Sequence, residues 1–302
     1  MAIQEQWAEL LEPGLRTIFN LQRDALAAAS RIPLLYSVQT SAKAQEYALG
    51  VGGFGDWVTY KGAIEYDDNE QGFKTTYSHQ EYIKGFKVER RLVDDDLYNI
   101  INERPSGLAL SAMRTQEKHA ASVFNNAFSA SYVGGDAVAL CSASHPYSPS
   151  NASVQSNRGT TALSFDSVVT TRRLMREFKD DKGELIPVNP DTILVPPELE
   201  ETAWTLINTM PAKPGTANND ANFVGSRVRN VVVWDYLTDA TNWFLVDSAM
   251  AKMYLKWYNR VLLDMAMDPT SDFRLEARFR GYMRYSYGWD HWAWLYGHEV
   301  AG

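Results

Sequence analysis

Cys141 and His145 are the pair in this 302-residue chain that most resembles a nucleophile and its base. A thiol beside an imidazole can ionise to a reactive thiolate. No local signature accompanies the pair, however. His145 stands in Ser144-His145-Pro146 with no second histidine or acid two to five residues on, as a metal-ligand set would need. The reading is a hydrogen-bonded structural histidine in a loop dense in Ser, Asn, Pro and Gly. Asp94-Asp95-Asp96 could attract calcium but lacks the EF-hand spacing, so these carboxylates read as caps at a helix N-terminus. The run GVGGFG at 50–55 could cradle a phosphate, yet no Lys-Ser/Thr follows and the strand-loop-helix context is missing, so it reads as a hinge. Trp289, Trp292, Trp294 and Tyr296 could form a sugar platform; packed against a core or a neighbour they form an aromatic plug, which is the reading adopted. No residue is assigned to catalysis, to a cofactor or to a metal. Arg274, Arg278, Arg280 and Arg284 fall on one face of a strand by period two, and charges so crowded need acids or phosphates opposite them.

The elements that must carry these residues are legible in part. Arg104 to Tyr132 is rich in Ala, Leu, Met, Gln, Glu and Lys and reads as one helix on the order of 30 Å long, starting at Pro105 with Ser106 as cap. Leu110, Met113, Ala120, Phe124 and Phe128 are expected on one face. Residues 1–30 carry an apolar stripe interrupted at Pro13-Gly14; they either dock on their own domain or reach a neighbouring subunit. Asp56 to Arg91 reads as a long exposed hairpin turning near 67–72. Leu163 to Phe178 is a helix capped by Ser164, Thr192–Val195 a buried strand stopped by Pro196-Pro197, and Glu198 to Asn208 a helix. Val228 to Trp234 and Trp243 to Val246 are strands, which makes 163–247 an α/β unit. Asp272 to Tyr287 alternates, with Phe273, Leu275, Ala277, Phe279, Met283 and Tyr285 on the face opposite the arginines.

Composition narrows the function classes. A formal charge of -8 argues against a protein that wraps nucleic acid, which needs a basic surface. A single cysteine excludes a disulfide framework. The N-terminus lacks a signal peptide and no window is apolar enough to cross a membrane, so the expectation is a soluble protein made inside a cell.

The order of these parts resembles the major capsid protein of tailed phages, specifically the Mu-like major head subunit family. The resemblance runs from about Tyr36 to Gly297. It rests on Leu92-Val93-Asp94-Asp95-Asp96 before the long helix, Ser144-His145-Pro146 after it, and KDDKGELIPVNPDTILVPPELEETA from Lys179 to Ala203. Asn242 to Asp247, and the closing Gly281-Tyr282 with the tryptophans, also match. It implies an α+β chain with the Hong-Kong-97-type capsid fold: an N-terminal arm at 1–50, an extended hairpin loop at 51–91, a peripheral domain with its spine helix at 92–160, an axial domain at 161–260, and a return strand with the C-terminus at 261–302. It further implies self-assembly through homo-pentamers and hexamers into an icosahedral shell around double-stranded DNA, in a virion assembled in the host cytoplasm. Portal and separate scaffolding or decoration proteins are the implied partners, with no membrane and no cofactor. The alternatives are an encapsulin-like compartment shell and, from another class, a carbohydrate-active enzyme or sugar-binding module, which needs two carboxylates about 5–10 Å apart. On the capsid reading the intersubunit candidates are Lys61, Glu65, Asp67, Asp68, Glu70 and Lys74 of the hairpin and Arg274, Arg278, Arg280 and Arg284 of the return strand, with ion pairs between the two groups expected ahead of the other reading, non-specific contact of the arginines with the packaged DNA.

Overall fold

The structure, a computed structural model, describes residues 7–62, 64, 66, 69–95, 100–208, 222–268 and 276–301. It opens with helix α1 (Trp7–Ala29), the short α2 (Ile32–Leu35) and strand β1 (Ser37–Thr40), followed by β2 (Gln45–Val51) and β3 (Gln71–Ser78). Strand β4 (Gln80–Glu89) and α3 (Arg90–Asp94) precede the long α4 (Ile100–Asn125). Two-residue strands β5 (His145–Pro146), β6 (Val154–Gln155) and β7 (Arg158–Gly159) cross the following loops. Then come α5 (Phe165–Met175), β8 (Thr192–Val195), α6 (Glu200–Asn208), α7 (Phe223–Arg227), β9 (Asn230–Val233) and β10 (Trp243–Val246). Helix α8 (Ser248–Tyr254) and strands β11 (Leu255–Met267), β12 (Glu276–Trp289) and β13 (Leu295–His298) complete the described chain. Among the described residues no helix is long and apolar enough to cross a membrane.

Two sheets share one continuous core. The first has the order β1-β11-β12-β4 and is built on the antiparallel β11–β12 pair. The alternation foreseen for β12 is present: Ala277, Phe279, Met283 and Tyr285 are buried, while Arg278, Arg280 and Arg284 lie on the other face. The second sheet has the order β7-β13-β10-β8-β9. Every residue of β8 and β10 is buried, because α5 and α6 pack on this sheet. Their continuous apolar runs are what burial on both faces requires. Ser164 accepts a hydrogen bond from Ser167 N and closes a capping box on α5.

Helix α1 lies along α4 and β11 of its own chain. Leu15 and Phe19 are fully buried there, and Arg16 pairs with Asp264 at 3.1 Å. At the turn that follows, the Glu117 carboxylate of α4 accepts from Arg31 N at 3.0 Å, from Ser30 Oγ, and from Trp234 Nε1, just past β9, at 2.9 Å. One buried carboxylate thus joins the N-terminal helix, the long helix and the second sheet.

Several boundaries differ from expectation, each for a physical reason. Helix α4 is described from Ile100, so Pro105 and Ser106 lie inside it and Ser106 is not its cap. Proline is tolerated near a helix start, where few backbone donors have intrahelical partners. Leu110 is exposed rather than on the packed face, and the buried stripe runs instead through Ile101, Leu108, Ala109, Ala120 and Phe124. Asp94 and Asp95 stand at the C-terminal end of α3, where they pair back to Arg90 and Arg91 at 3.6 and 3.8 Å, and Asp96 lies outside the described residues. The paired hairpin strands are β2 and β3, whereas β4 joins the first sheet beside β12. Residues 295–298, grouped by sequence with the return strand, pair with β10 in the second sheet.

Candidate intersubunit surfaces

The groups that could do chemistry are closed off by packing. Cys141 is buried, and burial pushes its thiol pKa well above the ordinary value. Its sulfur fills the space where a Cβ at Gly297 would stand. The His145 ring is fully buried and stacks on Trp292 with centroids 4.5 Å apart. Its Nδ1 lies 2.6 Å from Asp136 Oδ2 and its Nε2 3.0 Å from Asn157 Oδ1, so neither nitrogen is left to activate a thiol. Asn157 also donates from Nδ2 to Leu140 O at 2.8 Å and Leu295 O at 3.2 Å. The cluster therefore fastens the loops after α4 to β13. Asp136 and Asn157 could not be singled out by sequence, because nothing in a Ser/Asn-rich loop marks which polar residue turns inward. Trp289, Trp292, Trp294 and Tyr296 are all buried and expose no platform for a sugar. Among the described residues no three His, Cys, Asp or Glu side chains are grouped to hold a metal ion.

A second buried histidine sets a pH dependence. His298 stacks on Trp243 at 4.2 Å, and its Nδ1 accepts from Thr161 N at 3.2 Å. Its Nε2 lies 2.8 Å from Thr171 Oγ1, which itself donates to Ser167 O at 2.7 Å. Nε2 must therefore carry the proton, and the ring is neutral. Burial pushes the His298 pKa down to about 4. An unfolded histidine takes up its proton near pH 6.5, so between there and about 4 the unfolded chain binds more protons than the folded one. The stability from this residue is fully present above pH 6.5 and is lost as the pH falls towards 4. It amounts to about 2 kcal/mol by pH 5. Urea unfolding at pH 7.5 and pH 5 is expected to show this loss, and His298→Gln is expected to remove that part of it. Equal pH dependence in the two proteins would rule the assignment out.

The base of the hairpin is held closely. A Cβ added at Gly72 would come within 2.9 Å of the Gly50 backbone on the opposite strand. These glycines thus mark a close approach between strands and not an open hinge. Beside them lies a cavity of about 540 Å³ lined by Gly52, Gly53, Asp180, Asp181, Tyr254 and His291, among others. Gly53 N donates across it to Asp181 Oδ1 at 2.9 Å, which anchors the loop to the turn before β8. The loop itself turns large apolar side chains outward: Phe54, Trp57, Val58, Tyr60, Ile64 and Tyr66 are all exposed, Trp57 completely. Attention to the polar residues of this stretch hid that surface in the sequence.

The charged candidates separate into three groups. Glu65, Asp67, Asp68 and Arg274 lie outside the described residues. Glu70 accepts from Ser150 Oγ, and Lys74 lies over the Tyr47 ring at 4.5 Å. Arg278 Nε donates to Glu276 Oε1 at 2.6 Å, and this bond comes first in holding the Glu276 carboxyl below its usual range. Arg284 lies 3.7 Å from Glu81 of β4. The first sheet thus supplies acids of its own to two of the arginines, a pairing hidden in the sequence because Glu81 is far away along the chain. Lys61 and Arg280 are exposed and have no partner among the described residues.

This architecture recurs in solved shells. The capsid of bacteriophage JBD30 decorated with minor capsid protein trimers matches with a TM-score of 0.57 at 13% identity, covering 69% of this chain and 91% of that one. The capsid of the native GTA particle matches with 0.56 at 16%, covering 90% of each chain. The capsid of the cyanophage P-SCSP1u matches with 0.55 at 12%, covering 90% and 88%. At such identities the likeness is one of fold, the Hong-Kong-97-type capsid fold. No match is found among curated proteins. A profile of the phage capsid protein family, however, matches residues 72–297, from β3 to the end of the second sheet, and by that match the chain belongs to the phage capsid protein family.

Proposed function

We propose that copies of this chain assemble through pentamers and hexamers into an icosahedral shell that encloses double-stranded DNA, with a portal and separate scaffolding or decoration proteins as partners. The chain acts as a structural protein and not as an enzyme. The family match together with the outward apolar loop at 52–66 carries this reading. Six large apolar side chains on one loop exceed what a monomer leaves uncovered, and a neighbouring copy would cover them. Arg280 and Lys61, exposed and unanswered among the described residues, would find acids on that neighbour. The intersubunit roles of Glu65, Asp67, Asp68 and Arg274 belong to the same proposal.

Negative-stain microscopy of purified protein is expected to show closed shells. Limited proteolysis is expected to cut between residues 52 and 70 in free subunits and much less in shells. Equal cutting in both forms would mean that no neighbour covers the loop. Monodisperse small particles under all assembly conditions would overturn the shell itself.

A further inference from the structure

Arg172 and Arg176 share a cavity beside α5, and α5 packs against α7, which ends in Arg227; none of the three has an opposing acid among the described residues. Arg172, in the last turn of α5, is 8% exposed. Its Nη2 donates to Asn189 Oδ1 at 2.6 Å, but its Nε is shielded from solvent and makes no hydrogen bond. Burial first, and then the charges of Arg176 and Arg227, hold this guanidinium below its ordinary pKa. Arg176 follows α5 and Arg227 ends α7, and neither has an acidic partner among the described residues. Among the described residues Glu177 is the one acid lining the adjacent cavity of about 310 Å³, and Arg173 holds it at 2.9 Å. Cations near helix C-termini are favourable in themselves. That explains an exposed arginine there, but not a buried one with an idle Nε beside two more positive charges. Such a grouping is stable when an anion enters it.

The complementary charge sits elsewhere on the same unit. Glu198, Glu200 and Glu201 lie at the start of α6, all exposed and without a cation partner among the described residues. The other end of α6 is tied to α7 by Asn222 Nδ2 donating to Leu206 O at 2.9 Å. The nine residues of α6 span about 13 Å between the acids and the end tied to α7, and no ion pair joins the acids to the arginines among the described residues. Between them Trp204 and Phe223 are exposed.

We propose that the cavity lined by Arg172 and Arg176, with Arg227 of α7 nearby, receives a carboxylate from Glu198, Glu200 or Glu201 of a second copy of this chain, so that copies join head to tail around a ring. This rests on the shell reading, in which subunits close into rings. A ring contact is heterologous and needs two different complementary patches on one chain, here the acids at the start of α6 and the arginines of α5 and α7. Arginine pairs planar carboxylates in a two-pronged geometry, and Trp204 and Phe223 supply apolar area beside the charges.

The test compares four proteins: wild type, Arg176→Glu/Arg227→Glu, Glu200→Arg/Glu201→Arg, and the chain carrying all four changes. Shell yield is read by microscopy, ring formation by sedimentation, and subunit folding by circular dichroism. Each double variant is expected to keep a wild-type melting curve and to lose association by about tenfold or more, while the fourfold variant regains most of it. Normal association in either double variant, or no recovery in the fourfold one, would overturn the contact. Shells of normal yield that lose only their DNA would also overturn it, in favour of a phosphate ligand. Wild-type rings that never close into shells would count against the shell reading and leave the contact standing.

Discussion

Replacing Phe19 by alanine is expected to cost about 3–5 kcal/mol of subunit stability, and removing residues 1–30 to prevent folding. Phe19 and Leu15 are 0% and 2% exposed, between α1, α4 and β11. Truncating a ring in such a place loses its transfer free energy and leaves a cavity that the rigid long helix cannot collapse to fill. The Arg16–Asp264 pair adds little, because both partners are about half exposed. Urea unfolding followed by tryptophan fluorescence reads the Phe19→Ala effect, and circular dichroism reads the truncation. A truncated chain with wild-type ellipticity and melting would show that α1 serves only a neighbouring copy.

Glu117→Ala comes next in size, at about 3 kcal/mol. The change strands the buried indole N–H of Trp234 and removes the acceptor of the part-buried backbone N–H of Arg31. Each orphaned donor costs about 1–3 kcal/mol, offset in part because a buried carboxylate is itself expensive to desolvate. Glu117→Gln keeps one carbonyl acceptor and turns an N–H₂ towards the other donor, so its loss should fall between wild type and alanine. The indole of Trp234 gives the reaction its own reporter, since its emission should shift when the bond is cut. An alanine variant within about 0.5 kcal/mol of wild type would mean that the carboxylate does not join these elements.

What could be read from the sequence divides along a physical line. Strands β8 and β10 were legible to the residue, because four consecutive apolar or β-branched residues, ended by Pro196-Pro197 or by Asp247, have few other uses. The arginine face of β12 was legible because period two leaves no choice of side. Local signals failed where pairing is long-range. Nothing near Gln45–Val51 says that its partner is Gln71–Ser78, and Gln80–Glu89 pairs with a strand almost two hundred positions away. Glu117 was invisible for the same reason: on a helix of good formers it looks like one more solvated acid until Trp234 is placed against it. The Pro105 start failed differently, since proline marks a first turn without saying how much helix precedes it. The order of the parts, more than any single motif, carried the resemblance to the phage capsid proteins.

The place of β13 has a consequence for timing. It lies between β7 and β10, yet it follows every other strand of that sheet along the chain. Until translation has passed residue 298, β10 and β7 have unfilled edges and the cluster of His145, Asp136 and Asn157 lacks the carbonyl of Leu295 on which it closes. A nascent chain therefore cannot present a finished second sheet to its neighbours on the same messenger. On the proposed shell reading, contacts that need the finished sheet would form only between whole subunits, which would keep half-built partners from locking together.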